Sequence, residues 1–106
     1  MANLLFICSK NKWRSPTAEL LFKNHAVHQA RSAGTSDKSR IGVNEKMIDW
    51  ADVIFVMERR HQQILKQRFG ISSTNKLVVV LAIEDDYQFN DPELVGILKN
   101  ALYEYL

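Results

Sequence analysis

At 106 residues the chain is sized for one domain with a single modest core, and 46% apolar with 25% charged side chains is ordinary for a soluble globular protein. The net charge of +2 conceals a split: residues 1–76 carry 13 Lys/Arg against 6 Asp/Glu and residues 77–106 carry 1 against 6, a field that favours small anions but lacks the dense basic run and interleaved aromatics of a nucleic-acid binder. One cysteine excludes an internal disulfide, three histidines without ligand spacing give no metal site, and no apolar run reaches the roughly 18 residues of a membrane span, so a cytoplasmic protein without a membrane partner is expected.

An apolar run at Asn3–Cys8 reads as the first strand. Ser15 then suits an N-cap and Pro16 the first position of a helix whose apolar face carries Ala18, Leu21, Phe22 and Ala26. A short strand at Ala30–Ala33 and a short helix around Asn44–Trp50 follow. Asp52–Met57 (DVIFVM) is the third strand, and Glu58–Phe69 is a helix with Ile64, Leu65 and Phe69 inward and Gly70 as its stop. Leu77–Ile83 (LVVVLAI) is the fourth strand. Asp91-Pro92 opens the last helix, with Leu94, Val95, Leu98, Ala101, Leu102 and Tyr105 on its apolar face.

Three of these strands are continuous and apolar rather than alternating, the pattern of strands covered on both faces. Strands alternating with helices then imply one α/β domain over residues 1–106, a three-layer sandwich around a four-stranded parallel sheet with right-handed crossovers. In such sheets ligands bind outside the carboxyl ends of the strands. Those ends lead into Cys8–Ser15, Gly34–Lys38, Met57–Arg60 and Glu84–Asn90, so the cysteine loop and the acidic stretch EDDY are expected on one rim.

The octet CSKNKWRS joins a buried strand to a helix start. A loop there points backbone N–H groups inward, and the helix end adds partial positive charge, which together cradle a tetrahedral oxyanion. Arg14 can fork two donors onto two of its oxygens. The same field favours the thiolate of Cys8, and Ser15 can donate to that sulfur. A thiolate beneath a bound phosphoryl group is placed for in-line attack and a phosphocysteine. A buried, inert cysteine at a strand end is the bland alternative, but the strand before it and the Ser-Pro start after it supply the context such a loop needs.

NLLFICSKNKWRSPTAE resembles the signature of the low-molecular-weight protein tyrosine phosphatases, C-x5-R-S-P after an apolar strand, and in particular a short bacterial branch of that family. The likeness continues through RSAGTSD (31–37), ADVIFVME (51–58) and IEDDY (83–87). It implies a flavodoxin-like fold and a cysteine-dependent phosphomonoester hydrolase, with inorganic phosphate as product and a phosphotyrosine-containing protein or a small aryl phosphomonoester as substrate. By resemblance Cys8 is the nucleophile, Arg14 binds phosphate and stabilises the transition state, and Ser15 steadies the thiolate. Ser9, Lys10, Asn11, Lys12, Trp13, Arg14 and Ser15 line the phosphate loop. Asn11 holds its shape, and Ser32 braces Asn11. The general acid aligns with Asp85, with Asp86 and Asp91 as competitors, since the family's Asp-Pro pair is replaced by Asp85-Asp86. Packing Glu84, Asp85 and Asp86 together should raise the pKa of at least one of them, which suits an acid near neutrality. Tyr87 aligns with an aromatic wall, and Trp13 with Tyr87 could stack on an aryl ester.

The chain departs from the family in places. Lys10 stands where a glycine is usual, a strained choice if that position needs φ > 0. The stretch between Asp37 and Trp50 is short, which removes a pocket wall and a histidine that supports the cradle. His25, His28 and His61 are expected at the surface or an edge, and Arg59 and Arg60 at a solvated helix start. No cofactor is implied, because cradle and thiolate supply the electrostatics. A phosphocysteine carrier would need neither Arg14 nor an acidic loop, and a thiol-dependent arsenate reductase would need further cysteines. A catalytically weak or inactive oxyanion-binding or interaction module on the same fold is the remaining alternative.

Overall fold

The computed structural model describes residues 2–70 and 76–105. Four strands, β1 (Asn3–Cys8), β2 (Gln29–Gly34), β3 (Val53–Val56) and β4 (Leu77–Val80), pair in parallel in the order β2-β1-β3-β4. The helices between and after them are α1 (Arg14–Leu21), α2 (Glu45–Trp50), α3 (Arg59–Phe69) and α4 (Pro92–Tyr103). This is a flavodoxin-like three-layer arrangement. Among the described residues no helix is long and apolar enough to cross a membrane.

The period of two along a strand divides the core. Leu4, Phe6 and Cys8 of β1 face one way, with Phe55 and Met57, against Ala18 of α1 and Leu94, Leu98 and Leu102 of α4. Leu5 and Ile7 face the other way, with Ile54 and Val56, against Ile48 of α2 and Leu65 of α3. Leu4, Leu5, Phe6 and Ile7 are all fully buried, which is why β1 reads as an unbroken apolar run. β2 and β4 are the sheet edges, and their outer residues are accordingly more exposed.

Several element ends differ from expectation for local reasons. Helix α1 begins at Arg14 with Trp13 as a cap that makes no side-chain bond. Ser15 is not the N-cap, because its hydroxyl is turned onto Cys8 and Asn11 instead. The helix also stops at Leu21 rather than running through Ala26. Asn24 enters the left-handed region at φ 62°, and His25 Nδ1 accepts the amides of Val27 and His28. Strand β4 ends at Val80, two residues before Ala82 turns to φ 57°. Elsewhere the signals hold: Asp91 caps α4 through the Glu93 amide with Pro92 in the first turn, and Gly70 at φ 51° ends α3; the structure adds Asn44, which caps α2 by accepting from the Met47 amide.

The strand order reverses between β1 and β3, so a crevice opens above that pair at their carboxyl ends. The loop after β1 and the start of α3 form its two walls.

Candidate active site

The loop after Cys8 is held from outside by residues 34–40. The carbonyls of Cys8, Ser9 and Lys10 accept the amides of Thr35, Ser36 and Arg40 at 3.0, 2.8 and 3.0 Å. The Asn11 carbonyl accepts Arg40 Nε at 3.2 Å, and Ser39 Oγ adds a second bond to the Ser9 carbonyl. No peptide bond among the described residues is cis, so carbonyls turned outward place the following amides on the concave side. That row of amides at the start of α1 is an oxyanion cradle in form. Its turn depends on Gly34, where a Cβ would lie 2.6 Å from the Ser9 carbonyl oxygen and 2.9 Å from the Asn11 amide nitrogen.

The left-handed residue in the loop is Asn11, at φ 52°, not Lys10. Asparagine tolerates that region well, so the lysine imposes no strain there. Asn11 is fully buried, and its Nδ2 donates to Ser15 Oγ at 2.9 Å and to Ser32 Oγ at 2.8 Å. Ser32 in turn donates to the Glu19 carboxylate. Because Ser15 Oγ already accepts from Asn11, its own proton is left for Cys8 Sγ, 2.9 Å away, or for the Ala33 carbonyl at 3.4 Å. The closer partner is the sulfur, and a donor aimed there stabilises a thiolate.

Arg14 lies across the crevice and is buried. Its Nη1 donates to Glu58 Oε1 at 2.5 Å and to the Ile83 carbonyl at 2.7 Å, while Nε stands 3.5 Å from Asp85 Oδ1. A cavity of about 120 Å³ over the loop is lined by Ser9, Lys10, Lys12, Trp13, Arg14 and Asp85. It is sized for a compact head group rather than for a whole drug-sized ligand. Tyr87 does not line it; the ring packs beside the α1/α4 core, where burial and then Glu93 push its phenol up. Asp86 and Asp91 do not line it either. Asp91 is occupied as a cap, and the hydrogen bond and charge of Asp86 push the carboxyl of neighbouring Glu84 above its ordinary value, so the raised group of the acidic cluster is Glu84.

Three residues of the site carried no signal as such in the sequence. Glu58 caps α3 and also binds both Arg14 and Arg60. The bond from Arg60, then the bond and charge of Arg14, hold its carboxyl at about 2 in spite of partial burial. His61, expected at the surface, is fully buried. Burial first, then the charges of Arg14 and Arg60, depress it to about 4, so it is neutral at pH 7. Its Nδ1 accepts the Glu58 amide at 3.1 Å, which leaves the ring proton on Nε2, donated to Ser9 Oγ at 2.9 Å. Arg60 Nη2 also donates to Ser9 Oγ, at 2.9 Å. With two donors on its oxygen, the Ser9 hydroxyl must direct its own proton elsewhere, and the residue lines the cavity. A histidine does brace the cradle, therefore, but from α3. The pattern that could have revealed it is Glu58-x-x-His61 directly after an apolar strand, a capping box with the partners' usual types exchanged.

Residues 3–50, from β1 through α2, match the model of a family described as low molecular weight phosphotyrosine protein phosphatase. That stretch holds the whole cysteine loop and is less than half of the chain. A protein-arginine-phosphatase of Bacillus subtilis (strain 168) is 28% identical over 95 residues, covering 64% of this chain and 63% of that protein, so the match spans less than two thirds of the relative's length. The tyrosine phosphatase Wzb from Escherichia coli K30, solved in complex with phosphate, superposes with a TM-score of 0.78 at 20% identity, over 98% of this chain and 89% of that one. The low molecular weight protein tyrosine phosphatase from T. tengcongensis gives 0.76 at 21% identity, over 100% of both chains. A YwlE mutant from Bacillus subtilis gives 0.71 at 22%, over 98% of both. At these identities the structures share the fold.

Proposed function

We propose that the chain is a cytoplasmic, cysteine-dependent phosphatase acting on aryl phosphomonoesters, with a phosphotyrosyl protein as substrate. The observation that carries the reading is the juxtaposition of Cys8 Sγ with the Ser15 hydroxyl beneath a braced loop, with Arg14 and Asp85 lining the cavity above.

In the first step the Cys8 thiolate attacks phosphorus, the S–P bond forms, the P–O bond to the aryl group breaks, and the leaving oxygen takes a proton from Asp85. In the second, Asp85 takes a proton from water, the water oxygen attacks phosphorus, and the S–P bond breaks to return the thiolate and release inorganic phosphate. The Nε and Nη2 side of Arg14 binds the equatorial oxygens, displacing the 3.5 Å contact with Asp85. Asp85 is preferred to Asp86 and Asp91 because it alone of the three lines the cavity. Trp13, half-buried at the mouth, offers a face to a tyrosyl ring, and Lys10 and Lys12 draw in its dianionic phosphate. The cytosol keeps such a nucleophile reduced.

A second reading, phosphoarginine hydrolysis, is favoured by the similarity to the Bacillus subtilis arginine phosphatase. The two lysines at the mouth disfavour a cationic guanidinium leaving group, which is why the aryl ester is preferred. Wild-type protein should hydrolyse p-nitrophenyl phosphate and a phosphotyrosyl peptide faster than a phosphoarginyl peptide of the same sequence, with Cys8→Ser inactive. Asp85→Asn should slow aryl phosphate turnover by about a hundredfold or more. No turnover of any of the three substrates would overturn phosphatase function, and faster phosphoarginine turnover would install the second reading.

A further inference from the structure

A second, larger concavity adjoins the site. A groove of about 800 Å³ runs beside α1 and reaches the start of β2, and Lys12 lines both this groove and the small cavity over the phosphate loop. The two spaces therefore meet at one side chain. Leu20 and Phe22 give the groove an apolar wall, and Lys12, Lys23 and Arg40 give it three permanent cations. The one carboxylate among the described residues of its lining, Glu19, already accepts a bond from Ser32.

The backbone adds a directional feature. β2 is a sheet edge, and its Gly34 end is closed by the parallel bridge to Gly42. Towards its start no strand among the described residues pairs with its outer side, and Gln29 and Ala30 there line the groove. An edge strand presents a row of main-chain donors and acceptors that an extended peptide can pair with. A nucleic acid would gain from the cations but would leave that row unused.

We infer that this groove is the docking site for the acidic, extended segment that flanks the phosphorylated residue of a protein substrate, entering past Lys12 and lying along the β2 edge. The assignment rests on the phosphatase reading and deepens it: the small cavity takes the phosphoryl group, and the groove reads the chain beside it. Specificity then lies in the charge of the neighbouring residues rather than in the phosphoresidue alone.

The test uses the full chain and three probes: p-nitrophenyl phosphate, and two phosphotyrosyl peptides that differ only in carrying Asp/Glu or Lys on their flanks. At low salt kcat/KM for the acidic peptide should exceed that for the basic one by roughly tenfold, the size expected from a few exposed ion pairs, and the gap should narrow in high salt. Lys23→Glu, at an exposed position outside the phosphate loop, should cut the gap to about threefold or less while p-nitrophenyl phosphate turnover is unchanged. Leu20→Ser should raise KM for both peptides and leave the small ester alone. Equal constants for the two peptides, or a gap unmoved by Lys23→Glu, with the small ester still hydrolysed, would overturn the groove and spare the phosphatase. Failure to hydrolyse p-nitrophenyl phosphate would overturn both.

Discussion

His61 ties the stability of this fold to pH in a calculable way. An unfolded chain binds a proton on the imidazole near 6.5, whereas the folded protein binds it only near 4. Between those values the unfolded state holds more protons, so stability is complete above about 6.5 and falls as pH drops towards 4. At about 1.4 kcal/mol per unit, the loss by pH 5 is about 2 kcal/mol and by pH 4 about 3 kcal/mol. For a domain of this size 2 kcal/mol corresponds to a fall in Tm of roughly 8–16 °C between pH 7.5 and pH 5. The control is His61→Gln, whose amide keeps a donor for Ser9 but cannot titrate. It is expected to melt lower at pH 7.5, having lost the fitted ring, yet to change little between pH 7.5 and pH 5. Thermal melts of both proteins over that range, read by circular dichroism, make the comparison. Equal losses of stability in the wild type and His61→Gln on acidification would mean that burial of the neutral ring contributes nothing.

Other expectations follow from the same contacts. Gly34→Ala forces a methyl into the Ser9 carbonyl and the Asn11 amide, so it should cost about 1–3 kcal/mol in a melt and weaken protection by inorganic phosphate, whereas unaltered phosphate affinity would refute the role given to that turn. Ser9→Ala removes the hydroxyl of a cavity-lining residue and should raise the Kd for phosphate several-fold, by about 1 kcal/mol, with an unchanged fold by circular dichroism. Glu58, held near 2 against an ordinary 4.5, contributes stability above 4.5 that disappears as pH falls towards 2. For a partly exposed carboxyl this is about 1 kcal/mol, and Glu58→Gln should abolish it in urea titrations at pH 5 and pH 3.

The sheet was legible because its inner strands are buried on both faces, which writes β1 and β3 as uninterrupted apolar runs with no competing periodicity. The loop was legible because a cradle needs its residues close in sequence: Cys8, Asn11, Arg14 and Ser15 lie within eight positions, and Ser32 follows from them. Glu58 and His61 were not legible for the opposite reason. Their roles arise from contacts 44 and 52 residues away, with Arg14 and Ser9, and exist only once β3 lies beside β1. In isolation His61 sits on a charged helix start, where solvent is the default. Ser15 illustrates a local rule overridden by tertiary structure: a serine before proline favours an N-cap, but the nearby sulfur and Asn11 take its hydroxyl. Tyr87 was aligned as a wall of the site and instead rests beside the core, while Asp85, two residues earlier, faces the cavity.

Arg14 touches the end of every strand that borders the crevice: it follows β1, its head group is bonded to Glu58 after β3, and it reaches the Ile83 carbonyl after β4. One guanidinium thus rivets three separate stretches of chain at the same rim on which the proposed chemistry takes place. A descendant without the proposed chemistry could not discard this side chain without also letting those ends come apart. Retention of an arginine at this position in a silent copy would therefore testify to architecture as much as to turnover.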